Sequence, residues 1–186
     1  MTPADEHSAD VAIDNPMGFH VRPVQRFAEL ARMFKCDVKV RLRNRTVPGK
    51  SVINLVSLGG RCGDSLHIVA AGQDARQCLC VLTFLAHKQF FVEDTLDTAK
   101  EPLRHVERLA RMASCFESDI QAIVHGRRAD AKDMEALKGL GLAPTSAVQF
   151  EIAGRDAEQA LAVLSNLVAS CFYVEDSMAQ KSRGAT

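Results

Sequence analysis

Apolar residues change their spacing several times along the first half of the chain, and each change marks an element. Val11-Ala12-Ile13-Asp14 predicts a short strand, closed by Asn15-Pro16 and Gly18. Pro23 suits a first helical turn, and Val24, Phe27, Ala28, Ala31 and Phe34 then recur at helical spacing. Asp37 to Leu42 alternates as a strand, and Arg43-Asn44-Arg45 turns it into Thr46-Val47. Ser51 stands where an N-cap belongs, ahead of a short helix carrying Val52, Ile53, Leu55, Val56 and Leu58 that Gly59-Gly60 ends. Leu66 to Ala70 reads as another strand, and Asp74 opens a long amphipathic helix to about His87. The order βαββαβα predicts an α+β open-faced sandwich, an antiparallel sheet with helices on one face.

The second half repeats the first. FFVED ends at Asp94 and FYVED at Asp176, 82 residues apart, and sliding the chain by that offset aligns the halves without a gap. Phe34 falls on Phe116, Asp37 on Asp119, Arg45 on Arg127 and Lys50 on Lys132. Gly72-Gln73-Asp74-Ala75 meets Gly154-Arg155-Asp156-Ala157, and about two dozen aligned pairs are identical. Two copies are too few for a solenoid, so the reading is two tandem sandwiches. Their expected bounds are 9–94 and 95–177, between polar tails 1–8 and 178–186. With so short a join, Thr95 to Glu101 should supply the first strand of the second copy. Phe90, Phe91, Phe172 and Tyr173 are the apolar residues best placed for contact between the copies.

Composition narrows the function. Lysine plus arginine (23) balances aspartate plus glutamate (23), so no bulk field draws the chain to nucleic acid or an anionic membrane. Aromatic residues make up only 5% and Trp is absent, which argues against base-stacking platforms. No apolar run is long enough to span a bilayer, and Met1 to Ser8 lacks the character of a signal peptide, so a soluble, cytoplasmic protein is expected. The six cysteines are scattered among apolar neighbours and read as reduced thiols. Cys78 and Cys80 sit in a helical run that points them to different faces, so no metal site and no cofactor is expected.

Chemistry concentrates in Gly18-Phe19-His20-Val21-Arg22-Pro23. A histidine stands just before a helix start, where unpaired N–H groups and partial positive charge attract anions. Arg22 adds a planar fork suited to phosphate oxygens. The same positive field favours a neutral, nucleophilic imidazole. Together they suit a histidine that takes and holds a phosphoryl group, though a lone loop histidine also serves as a solvated or capping residue.

This segment resembles the active-site motif of the histidine-containing phosphocarrier family, HPr, of the bacterial phosphoenolpyruvate-dependent phosphotransferase system. The likeness extends over the whole first copy. Gly49-Lys50-Ser51-Val52-Ile53 is similar to the family's regulatory serine region and Phe91-Val92-Glu93 to its tail. The resemblance implies a carrier rather than an enzyme. His20 would accept phosphate through Nδ1 from a phosphorylated first enzyme and pass it to an acceptor protein, and Arg22 would neutralise the phosphoryl charge. Ser51 would be the target of a serine kinase where one exists, and Val52, Ile53 and Val56 would form the docking surface, with plain core packing as their other reading. Phe19, Val24 and Gln25 are bulkier than the family's usual residues there, which bears on the choice of acceptor.

The second copy departs further. Pro102 stands at the position of His20, Arg104 at that of Arg22, and His105 at that of Pro23, where an exposed or capping role is expected. Asp133 replaces Ser51, as a good N-cap or a standing mimic of phosphoserine. Two other functions remain in view: a regulatory module whose state at His20 or Ser51 is read by a transcription factor or enzyme, and a purely structural protein. Retention of His20 with Arg22 argues against the last, because the second copy keeps the pattern without the histidine.

Overall fold

The computed structural model describes residues 5–14, 16–86, 101–143 and 146–171. The chain divides into two compact units, Met1–Leu96 and Asp97–Thr186. In the first unit the order is β1 (Glu6–Ala12), α1 (Val21–Arg32), β2 (Asp37–Leu42), β3 (Arg45–Pro48), α2 (Val52–Val56), β4 (Ser65–Ala71) and α3 (Ala75–Ala86). The sheet runs β1-β4-β2-β3 with every neighbouring pair antiparallel. The α+β sandwich expected from the periodicity is therefore the fold of this unit.

Alternation sets which face is covered. Val38, Val40 and Leu42 of β2 and Leu66, Ile68 and Ala70 of β4 are buried, while the residues between them lie on the other face. Against the buried face pack Val24, Phe27, Ala28 and Ala31 of α1 and Cys78, Val81, Leu82 and Leu85 of α3. Each fully buried large side chain contributes about 1.5–3 kcal/mol relative to exposure. Strand β1 starts at Glu6, ahead of the predicted Val11, and pairs with β4 from Glu6↔Ala71 to Ala12↔Ser65. The polar stretch Glu6-His7-Ser8 thus belongs to a strand, because ladder bonds need only backbone groups and its side chains lie outside the core.

The second unit comprises α4 (Glu101–Ala113), β5 (Asp119–Val124), β6 (Arg127–Asp130), α5 (Met134–Gly139), β7 (Gln149–Ala153) and α6 (Ala157–Cys171). Its sheet runs β6-β5-β7, antiparallel throughout. Glu101 begins a helix, which corrects its assignment to a first strand; Thr95–Lys100 lie outside the described residues. So do Phe90, Phe91, Phe172 and Tyr173.

Several bonds recur at the 82-residue offset. Asp74 accepts from the N–H groups of Lys35 (2.7 Å) and Cys36 (2.8 Å), and Asp156 accepts from those of Glu117 (2.8 Å) and Ser118 (2.9 Å). Gly49 N–H donates to Val38 C=O at 2.7 Å, and Ala131 N–H to Ile120 C=O at 2.8 Å. Lys50 Nζ donates to Phe34 C=O at 2.7 Å, tying the segment before α2 to the chain just past the end of α1. Gly72 (φ +141°) and Gly154 (φ +151°) both press against the residue that the aspartate holds, Cys36 or Ser118. A Cβ there would collide with backbone.

Among the cysteines, Cys36 and Cys78 are buried free thiols and Cys62 is an exposed one. The neighbouring Cys36 and burial push the Cys78 thiol far upward. Cys78 is buried and Cys80 exposed, on different faces of α3 as expected. Cys80 and Cys115 are each disulfide-bonded, which corrects the expectation of reduced thiols for these two. That expectation rested on a core of this size not needing staples, which does not forbid them. Among the described residues no His, Cys, Asp and Glu group could hold a metal ion, and no helix is long and apolar enough to cross a membrane.

Candidate functional site

His20 is the N-cap of α1, with extended backbone at φ −87° and ψ −175°. Its C=O receives the Val24 N–H at 3.1 Å, the first bond of the helix. Val21 and Arg22 lie in the first turn, where backbone N–H groups have no carbonyl four residues earlier within the helix, and Pro23 has no N–H to leave over. The helix runs for 12 residues, has no acidic side chain in its first turn, and so turns its positive end toward the His20 position. His20 is half-buried and Arg22 exposed.

The loop ahead of His20 is fixed from two sides. Phe19 N–H donates to Gly60 C=O at 2.9 Å. Gly18 takes φ +73° and lies so close to the Gly60 carbonyl that a side chain would not fit. The Phe19 ring is buried and meets Phe27 of α1 edge-on, with centroids 5.9 Å apart and planes at 89°. The larger residue at position 19 therefore serves as an anchor that sets where the next residue, His20, emerges.

Helix α2 packs beside α1 and leads into the loop carrying Gly60. Of the residues expected to dock partners, Ile53 is 83% exposed and Val56 37%, whereas Val52 is half-buried. Leu55 and Leu58 take the core positions of this helix. The core reading therefore fails for Ile53 and Val56. Met17 (75% exposed) and Val21 (52%) bracket His20 with further apolar surface. Sequence spacing does not single them out: Val21 stands three residues before Val24 and seven before Ala28, so by periodicity it belongs with the buried face. Single exposed apolar residues are ordinary, but Met17 and Val21 lie three residues before and one after the histidine.

Ser51 is the N-cap of α2 by backbone position, yet its side chain caps no N–H; its Oγ accepts from Asn54 Nδ2 at 2.9 Å. Asp133, its counterpart, does cap: Oδ1 accepts from Glu135 N–H at 2.9 Å and Ala136 N–H at 3.1 Å. The N-cap reading of Asp133 thus holds, while the Ser51 oxygen accepts from the Asn54 amide in place of a helix N–H. Pro102 lies within α4, two residues into a helix that begins earlier than α1 does by alignment. His105 is buried, not the exposed or capping residue expected, because α4 continues through it and turns it inward.

A family model described as the PTS HPr component phosphorylation site matches residues 7–87 and, a second time, residues 102–170. The chain is 43% identical over 60 residues to the multiphosphoryl transfer protein of Xanthomonas campestris, covering 32% of this chain and 7% of that protein. It is 27% identical over 113 residues to the phosphoryl donor subunit DhaM of the PEP-dependent dihydroxyacetone kinase of Escherichia coli, covering 61% and 24% respectively. Phosphocarrier protein HPr of Mycoplasma genitalium is 39% identical over 72 residues, which cover 38% of this chain and 81% of that protein. Among solved structures, HPr-C-His from Thermoanaerobacter tengcongensis is 28% identical, with 47% of this chain and 99% of that one covered and a TM-score of 0.45. The chain thus spans only a small fraction of the two longer relatives.

Proposed function

The chain belongs to the HPr family of the phosphotransferase system, which its family model matches in both halves, and from that premise we propose that it is a phosphoryl carrier whose acceptor is His20. The observation that carries the reading is the placement of His20 as the N-cap of α1, at a helix end without acidic residues. In transfer, the Nδ1 lone pair of His20 attacks the phosphorus of a phosphorylated donor protein. The new P–N bond forms as the bond from phosphorus to the donor breaks, and the donor side chain leaves. The helix end and Arg22 oppose the charge of the phosphoryl oxygens. Passing the group to an acceptor reverses these steps. The carrier ends unchanged, so it is a relay and not an enzyme acting on a small molecule.

Met17, Val21, Ile53 and Val56 would supply an apolar docking rim for donor and acceptor in the cytoplasm, joined by half-buried Val52. Ser51 supports a regulatory layer. Its hydroxyl is not spent on the helix end, so a serine kinase could phosphorylate it and place charge in that rim without first breaking a cap. The second unit has no histidine at the equivalent position and would act as a binding or scaffolding copy.

The deciding assay incubates the full chain with phosphoenolpyruvate and a general first enzyme. An acid-labile, base-stable adduct is expected on the protein and absent from His20→Ala. No adduct, or an adduct that survives in His20→Ala, refutes the reading. Ile53→Asp should slow transfer severalfold while leaving the unfolding midpoint unchanged, because that side chain is 83% exposed.

A further inference from the structure

The loop from Gly59 to Gly63 carries a charge as well as a helix stop. It lies against the segment that holds His20. Phe19 N–H bonds Gly60 C=O at 2.9 Å, and a Cβ placed on Gly18 would stand 3.1 Å from the Cα of Arg61. Arg61 is therefore backbone to backbone with the residue two before His20. It is exposed. Its own N–H donates to Asp64 Oδ2 at 2.9 Å, and Asp64 is gripped through both carboxylate oxygens by Arg43 Nη2 at 2.9 Å.

The second copy supplies an internal control for what Arg61 does. The aligned residue is Ala143, and Asp64 corresponds to Ser146. The bonds between the ends of this segment nevertheless recur. Ala143 N–H donates to Ser146 Oγ at 2.9 Å where Arg61 N–H donates to the Asp64 carboxylate. Ser146 N–H returns to Ala143 C=O at 2.9 Å, and Asp64 N–H to Arg61 C=O at 3.0 Å. A methyl group thus suffices for this loop, and the guanidinium adds nothing that the turn requires. Arg22 survives in the second copy as Arg104, although Pro102 has replaced the histidine. Of Arg22 and Arg61, Arg61 is the one that disappears along with the histidine.

We propose that Arg61 is a second phosphoryl-binding cation, reaching the phosphate on His20 from the loop between α2 and β4 while Arg22 meets it from α1. The inference rests on the carrier reading of His20. A planar guanidinium suits phosphate oxygens through paired N–H donors, and two such forks on different elements would hold the group in a defined orientation.

The test compares wild type, Arg61→Ala and Arg61→Lys after labelling by phosphoenolpyruvate and the first enzyme. The phosphohistidine resonance is followed by 31P NMR against pH on the isolated phosphoproteins. With the cation removed, the titration midpoint should move upward by about 0.5–1 unit, with lysine intermediate. An unchanged midpoint in Arg61→Ala overturns the proposal. So does a shift accompanied by displaced Gly18 and Phe19 amide signals in the unphosphorylated variant, which would make Arg61 a structural residue. If only the salt-dependent KM for donor or acceptor rises, Arg61 contacts the partner instead, and the proposal fails. Wild type that takes no label overturns the carrier reading along with this one, whereas labelled wild type with an unshifted variant overturns this one alone.

Discussion

Gly18→Ala tests whether the placement of His20 depends on backbone contact with the loop after α2. Two costs combine at this position. The residue takes φ +73°, and a left-handed conformation costs about 1–2 kcal/mol once a Cβ is present. The new methyl would also run into the Gly60 carbonyl. The two loops must then separate, giving up the bond from Phe19 N–H to Gly60 C=O, worth about 0.5–1.5 kcal/mol. The sum is about 1.5–3.5 kcal/mol. Gly63→Ala is the control, because Gly63 has φ +88° with nothing within 4 Å of where its Cβ would stand, and it should show the conformational cost alone. The chain has two units and no Trp, so urea unfolding is best followed through amide signals of the first unit. A midpoint lowered by about 1 M or more is expected for Gly18→Ala, with a smaller drop for Gly63→Ala. Phosphorylation of His20 should slow only in the first variant. Equal loss in both, or an unchanged phosphorylation rate in Gly18→Ala, would refute the reasoning.

Other substitutions probe the duplicated framework. Asp156→Ala removes an acceptor serving Glu117 N–H, Ser118 N–H and Ser118 Oγ, and should lower the stability of the second unit by about 2–4 kcal/mol. Asp74→Ala, which orphans two N–H groups, should cost the first unit somewhat less, as urea midpoints of each unit will show. Asp133→Ala should cost about 1 kcal/mol as a lost N-cap, whereas Ser51→Ala should change stability by under about 0.5 kcal/mol because its side chain caps nothing. Asp64 gives a pH dependence: the Arg61 backbone N–H first, and the Arg43 hydrogen bond second, hold its carboxyl below the ordinary 3.8. Its contribution is therefore fully present above the unfolded carboxylate range and lost as pH falls through the lowered folded value. The gap in urea midpoint between wild type and Asp64→Asn should be constant from about pH 7 to pH 5 and close below about pH 4; a gap that persists at low pH contradicts this.

Periodicity revealed the sandwich because a sheet covered on one face must alternate and a helix laid on it must repeat every three or four residues. Val38, Val40 and Leu42 could hardly have been read otherwise. Strand β1 was only partly legible. Glu6, His7 and Ser8 join the ladder through backbone groups that leave no apolar trace. The difference between Ser51 and Asp133 was also hidden, since both are good N-cap types and only the competing Asn54 amide separates them. His20 was visible as a residue type before a helix start. The anchoring of its loop by Gly60 was not, because that contact joins segments some forty residues apart with no shared pattern. Arg61 escaped for the same reason: the sequence showed a glycine turn, and only the fold shows what that turn lies against.

The two copies separate what the fold requires from what the chemistry requires. Asp74 and Asp156, which recur at the 82-residue offset, make the same backbone bonds in both units. The bonds from Arg61 to Asp64 recur between Ala143 and Ser146 even though the residues do not, with a serine hydroxyl standing in for a carboxylate. Positions that serve the sandwich can thus be kept by identity or by an equivalent donor and acceptor. His20 and Arg61 satisfy neither condition: proline and alanine replace them, and neither replacement can accept or bind a phosphate. Their presence in the first copy has no explanation in the stability of the sandwich, which the second copy achieves without them. On the proposed carrier reading, what they add is a nucleophile and a cation on adjoining loops, and phosphoryl transfer is the chemistry that uses both.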